Sequence, residues 1–225
     1  MQATLIINTP TFTSPALTLN PRPHPIMNTR NIKSVAIYCG SNFGDDEEFA
    51  LQAKALGAHL ASEKVTLVYG GTRKGLMGVV ADACLENGGS VIGIIPQNLF
   101  DKGQLHPGLK NYEVVADLKI RKTRMEDLAD AFIALPGGYG TLEELFQVLT
   151  LTQLELLDKP SCVLNIDHFY DPMLTMLNNM TQRGFLKKEH VDMLFFESDV
   201  NLVLGHLRQW VRPHVNKWID APQGR

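Results

Sequence analysis

The stretch that most restricts the fold is Ala131-Phe-Ile-Ala-Leu-Pro-Gly-Gly-Tyr-Gly-Thr-Leu-Glu-Glu144, an apolar strand ending at Pro136, a glycine turn, and a helix opening at Thr141. Gly137, Gly138 and Gly140 are free to take positive φ and let another molecule approach the main chain. The free N–H groups of a first helical turn, with the positive end of the helix dipole, form a ready site for a phosphate. Glu143 and Glu144 then follow, so an acid/base group lies beside an anion binder. The same letters have a second reading. Thr-x-x-Glu is also a capping box, with Thr141 as N-cap and Glu144 folded back onto its N–H. The position at the carboxyl end of a strand favours a site, because open α/β sheets bind ligands there.

Around this stretch, short apolar runs rich in β-branched residues alternate with helical patterns, which is the sequence form of βαβ units. Strands are expected at Ser34-Val-Ala-Ile-Tyr-Cys39, Val65-Thr-Leu-Val-Tyr69, Val91-Ile-Gly-Ile-Ile95, Tyr112-Glu-Val-Val-Ala116 and Ser161-Cys-Val-Leu-Asn-Ile166, with a last edge strand at Leu194-Phe-Phe196. Helices are expected over 45–63, from the glycine-rich junction at 70–78 to about 86, and over 118–130, 142–157, 171–183 and 199–211; in the first, Phe49, Ala53, Leu56 and Leu60 share one face. The fold class that results is α/β, a Rossmann-like doubly wound parallel sheet in a single domain. At 225 residues, 44% hydrophobic and 20% charged, the chain is long enough for one such core and short for two. The domain is expected to span 31–214, with a C-terminal tail over 215–225. Residues 1–30 hold no Asp, Glu or Lys and carry five prolines, at 10, 15, 21, 23 and 25. That composition cannot repay the entropy of ordering, so a disordered extension is expected. It lacks the apolar core of a secretory signal; a transit peptide and a true start at Met27 both stay open.

A second glycine-rich junction, Gly70-Gly-Thr-Arg-Lys-Gly-Leu-Met-Gly78, follows the second strand. Its spacing is not Gly-x-Gly-x-x-Gly, and Leu76 stands where a phosphate loop needs Lys. Tight helix–sheet packing at Gly75 and Gly78 is the plain alternative to a site. The connection 96–110 has little periodicity and is expected to lie over a pocket. Lys119-Ile-Arg-Lys-Thr-Arg-Met125 clusters Arg121, Lys122 and Arg124, either as a solvated helix face or as part of the site. A net charge of −3 makes no case for nucleic acid or membrane as partner. Three cysteines in apolar runs, without Cys-x-x-Cys spacing, suit a reducing cytoplasm. The seven histidines lack zinc-ligand spacing, so no metal is expected. No Gly-x-Ser-x-Gly elbow appears, and no lysine is singled out for pyridoxal phosphate, so no cofactor is expected.

Pro136-Gly-Gly-Tyr-Gly-Thr-Leu-Glu-Glu144 resembles the PGGxGTxxE signature of the Lonely Guy family of cytokinin riboside 5′-monophosphate phosphoribohydrolases, whose members were often labelled "possible lysine decarboxylase". The resemblance runs from about residue 32 to about residue 211, and the 70–78 junction matches the family's GGxxxGLMG. It implies hydrolysis of the N-glycosidic bond of a purine riboside 5′-monophosphate or AMP by a homodimer. The family's Arg-Lys pair, 23 residues before the second Glu, falls on Arg121-Lys122. Arg121 and Glu144 are then the implied catalytic pair, with Glu144 stabilising an oxocarbenium-like centre and activating water. Gly137, Gly138, Tyr139, Gly140 and Thr141 would hold the 5′-phosphate. Ser41 is a further phosphate or ribose contact, Gly71 shapes the pocket, Lys122 is a further substrate contact, Glu143 holds ribose hydroxyls, and Thr150 reaches for the base. Leu118-Lys119 stands where the family commonly has Met-His, and His106-Pro107 near a loop Glu of plant members, which bears on the preferred base. Two rivals are set against this reading: a non-catalytic nucleotide-binding module, which would use the same glycine turns, and an amino acid decarboxylase, which would need a lysine for pyridoxal phosphate that nothing in the sequence singles out.

Overall fold

The computed structural model describes residues 29–219. The seven strands, β1 (Ser34–Tyr38), β2 (Thr66–Tyr69), β3 (Val91–Pro96), β4 (Asn111–Val115), β5 (Ala131–Ala134), β6 (Ser161–Leu164) and β7 (Leu194–Glu197), form one sheet in the order β4-β3-β2-β1-β5-β6-β7. Every neighbouring pair is parallel. The chain builds outward from β1 to β4, returns to lay β5 on the free side of β1, and builds outward again. β1 and β5 therefore flank the topological switch point, and the crevice beyond their carboxyl ends is where such sheets bind ligands.

Both faces of the central strands β1, β2, β3, β5 and β6 are covered, and this is why they read as largely apolar runs, whereas the edge strand β4 stays largely exposed and carries Asn111 and Glu113. Val35 and Ile37 of β1 face a core built with Phe49, Leu56 and Leu60 of α1 (Glu47–Ser62), Leu76 and Val80 of α2 (Gly75–Glu86), and Val203 and Leu207 of α8 (Val200–Gln209). Ala36 and Tyr38 face the opposite core, with Met125 of α4 (Leu118–Leu128), Leu145 and Val148 of α5 (Tyr139–Gln153), and Leu177 of α6 (Asp171–Gln182). Short helices α3 (Gln97–Phe100) and α7 (Lys188–Val191) complete the chain. Asp46, Asp117 and Asp199 cap α1, α4 and α8 through side-chain oxygens that accept from Glu48, Ile120 and Asn201 N–H groups.

Three boundaries differ from the sequence reading for physical reasons. The signature helix α5 begins at Tyr139 with Gly138 as N-cap, two residues before Thr141, because a glycine can take the cap conformation without a side-chain acceptor. The connection 96–110 is not structureless: it contains α3, and Leu105 bridges to Thr72. Arg30 belongs to the folded body, donating to Trp210 and Asp158 carbonyls and stacking over the Trp210 ring at 4.8 Å. The expected disordered extension otherwise lies outside the described residues, as do residues 220–225 of the tail.

Candidate active site

The ends of β1 and β5 are tied together before the site begins. Leu135 N–H donates to Tyr38 O at 2.9 Å and Gly40 N–H to Pro136 O at 3.0 Å. From that junction the two chains diverge, one into residues 40–45 and the other into the glycine turn and α5. Gly138 sits at φ −96, and none of Gly137, Gly138 and Gly140 has positive φ. The expectation of left-handed glycines here is therefore corrected. Their value is space: a Cβ on Gly138 or Gly140 would meet nothing within 4 Å, whereas one on Gly137 would strike Thr141 and come within 2.8 Å of the Gly40 nitrogen. The first turn of α5 thus presents its free N–H groups to an open cavity.

Because α5 starts early, Thr141 lies inside its first turn and is buried at 3% exposure. It is not the N-cap, so the capping-box reading fails. Glu144 instead sits one turn further on and turns inward to Arg121 of α4, with which it forms a buried ion pair. Their side chains are 8% and 14% exposed. Next to it, Lys122 pairs with the more exposed Glu143. Arg124, the third cation of the cluster, points elsewhere and grips Glu113 of β4 through two hydrogen bonds of 2.9 Å. The solvated-face reading holds for Arg124 alone.

Burial pushes the Glu144 carboxyl above the usual carboxylate range, with the Arg121 guanidinium opposing that shift. Desolvation costs the charged form more than one cation on one side returns. Glu126, behind the pair, is also raised by burial; it accepts from Gln147, and Lys159 donates to its carbonyl. Cys39 lines the cavity, but burial and then the Glu144 charge drive its thiol far upward. A neutral thiol is no nucleophile.

The cavity holds about 1000 Å³, ample for a nucleotide. Ser41, Arg121, Lys122, Glu143 and Glu144 line it, as do all five residues from Gly137 to Thr141. Two expected residues are not among its walls. Thr150 is exposed two turns along α5, its hydroxyl donating to Phe146 O at 2.7 Å. Gly71 turns away at φ +76, where a Cβ would sit 3.2 Å from that of Ile95; it packs β2 against β3. The glycine that touches the site is its neighbour. A Cβ on Gly70 would lie 3.2 Å from Arg121 Nη1 and 3.2 Å from Met77 Sδ, so the bare Cα is the floor on which the guanidinium rests. Sequence reasoning also missed Asn42, Thr72, Leu99, Gln104 and Phe169, which reach the cavity from four separate connections. Only the length of the 96–110 connection signalled any of these. Among the described residues no cluster of His, Cys, Asp and Glu could hold a metal ion.

A parallel sheet with an uncapped helix start and a buried acid–guanidinium pair at its switch point defines a class, the Rossmann-like proteins whose crevice suits a phosphorylated sugar. Within that class the chain belongs to the Lonely Guy family: the family model described as "Possible lysine decarboxylase" matches residues 77–207. It is 38% identical to the probable cytokinin riboside 5′-monophosphate phosphoribohydrolase LOGL1 of Oryza sativa subsp. japonica, over 80% of this chain and 81% of the relative. It is 41% identical to the cytokinin riboside 5′-monophosphate phosphoribohydrolase of Rhodococcoides fascians, over 76% of this chain and 85% of the relative. The fold is shared with the molybdenum cofactor binding protein of Rippkaea orientalis at a TM-score of 0.60 and 19% identity, covering 78% and 94% of the two chains.

Proposed function

We propose that this protein hydrolyses the N-glycosidic bond of a purine riboside 5′-monophosphate, a cytokinin ribotide or AMP, releasing free base and ribose 5-phosphate. The observation that carries the reading is the buried Arg121–Glu144 pair beside the open first turn of α5. The 5′-phosphate accepts from the N–H groups of Tyr139, Gly140 and Thr141. Each charge-assisted bond contributes roughly 1.5–3 kcal/mol. With the phosphate so anchored, the anomeric carbon lies toward Glu144. As the bond from C1′ to the base nitrogen breaks, its electron pair leaves with the base and positive charge gathers on C1′ and the ring oxygen. Glu144 in its ionised form stabilises that charge and takes a proton from the water whose oxygen bonds to C1′. Arg121 holds Glu144 in place and donates hydrogen bonds toward the departing base, whose nitrogen takes up the proton that Glu144 removed from water, so the carboxylate is regenerated. Glu143 and Lys122 meet the ribose hydroxyls.

Incubating the protein with AMP and with isopentenyl-adenosine monophosphate, and separating the products, tests this. Free base with an equal amount of ribose 5-phosphate is expected. Nucleotide that is bound but unchanged would favour a non-catalytic binding module. The decarboxylase reading has less to rest on, since Lys74 and Lys119 at the cavity are exposed and Lys122 is engaged by Glu143.

We further infer a homodimer in the cytoplasm. Met176 on α6 and Leu156 and Phe185 beyond the ends of α5 and α6 are 55%, 72% and 84% exposed, and a second copy packed over them would remove that apolar surface from water. Cys39, Cys84 and Cys162 are unpaired and buried, as suits a reducing compartment. No helix among the described residues is long and apolar enough to cross a membrane. Light scattering on the purified chain should give twice the monomer mass, and Phe185→Glu should lower it.

A further inference from the structure

His106 is a buried titratable side chain, 3% exposed, that the proposed chemistry does not use. Its ring bridges two parts of the molecule. Gly108 N–H donates to Nδ1 at 3.1 Å, so Nδ1 is an acceptor and the proton resides on Nε2. Nε2–H then donates to Asp82 Oδ1 of α2 at 2.9 Å. The backbone is fixed at the same place: His106 N–H donates to Gly71 O at 2.9 Å, and Leu105 bridges to Thr72. Just before these anchors the same connection contributes Leu99 and Gln104 to the cavity wall, which Thr72 and Met77 also line.

From this arrangement the geometry points to a latch: the His106–Asp82 pair holds residues 97–105 against α2 and so sets the position of the cavity wall that Leu99 and Gln104 form. His106 and Asp82 are positioning residues for nucleotide binding, and the inference rests on reading the cavity as the nucleotide pocket. A histidine buried merely to fill the core would not need Asp82, whose side chain is 58% exposed. Removing that carboxylate opens no cavity, and its consequence is confined to the connection. The wall would swing outward about the Thr72–Leu105 bridge, weakening ground-state and transition-state contacts with the nucleotide alike, which raises KM and leaves kcat in place.

Asp82→Ala is the cleanest variant, because it leaves the core intact, and Asp82→Asn keeps an acceptor for Nε2–H. His106→Gln and His106→Asn each preserve one of the ring's two bonds. In Asp82→Ala the KM for AMP and its calorimetric Kd are expected to rise about tenfold, with kcat within about twofold of wild type. Asp82→Asn is expected to restore both, and each histidine variant to fall between. Trypsin reports on the latch without catalysis: Lys102 is exposed in the held segment, and its cleavage should quicken in Asp82→Ala and return to the wild-type rate in Asp82→Asn. Wild-type Kd and wild-type cleavage at Lys102 in Asp82→Ala would overturn the latch, as would a loss of affinity that Asp82→Asn fails to restore. If AMP binds but is never split, the proposed reaction fails while binding and cleavage still judge the latch.

Discussion

Glu144 carries two opposing demands. Its burial at 7% exposure raises its pKa, while stabilising a cationic sugar requires the carboxylate. Activity should therefore show an acid limb whose apparent pKa lies above the ordinary carboxylate value of 4.5, measurable as kcat/KM for AMP against pH. Glu144→Ala should lower kcat by about 10²- to 10⁴-fold with the nucleotide still bound, and Glu144→Gln should remove the acid limb together with the activity. A limb at 4.5 or below would mean that Arg121 outweighs desolvation. Gly70 provides a second residue-scale test. Its backbone needs no special φ, so alanine is allowed conformationally, yet the new Cβ would press on Arg121 Nη1 and Met77 Sδ at 3.2 Å. Displacing a guanidinium by a fraction of an ångström should cost about ten- to a hundredfold in kcat/KM, with little loss in melting temperature. An unaffected Gly70→Ala would show that Arg121 tolerates movement.

At the scale of the element, α4 and α5 explain why a single cluster of basic residues has two fates. Arg121 and Lys122 lie on the side of α4 that meets α5 and pair with Glu144 and Glu143, whereas Arg124 reaches β4. Arg124→Ala should leave kcat/KM within about twofold, since exposed pairs contribute little, while Arg121→Ala should abolish base release. Product assays on the two variants side by side decide this. The central strands were legible in the sequence because burial on both faces leaves largely apolar runs, and the pairing of residues 121 and 144 was legible from the family's fixed interval. The start of α5 was not, because Thr141 and Glu144 satisfy the capping-box pattern and only the fold reveals Arg121 as the stronger partner for the carboxylate. The contact of Gly70 with Arg121 was not legible for a similar reason. Adjacent glycines look alike in sequence, and which one meets a guanidinium depends on a helix fifty residues away.

For the whole molecule, the site draws on several separate connections at one end of the sheet, including those after β1, β2, β3 and β5, so it exists only where the complete sheet does. Its charge is then linked to global stability. The folded pKa of Glu144 lies above its unfolded value, close to the ordinary 4.5, so the folded state binds more protons between the two values. The stability contributed by protonated Glu144 is fully present below about pH 4.5 and is lost as pH rises through the folded pKa. Glutamine imitates the protonated form, which leads to an outcome opposite to the one usually expected on breaking an ion pair. Glu144→Gln should match wild type in melting temperature at about pH 4, exceed it as pH rises through the folded pKa of Glu144, and keep a constant advantage above that. Differential scanning calorimetry of both proteins across that range reads the difference directly. If the glutamine variant is instead the less stable one at neutral pH, the Arg121–Glu144 pair outweighs the cost of burial, and the carboxylate is held ionised by its partner.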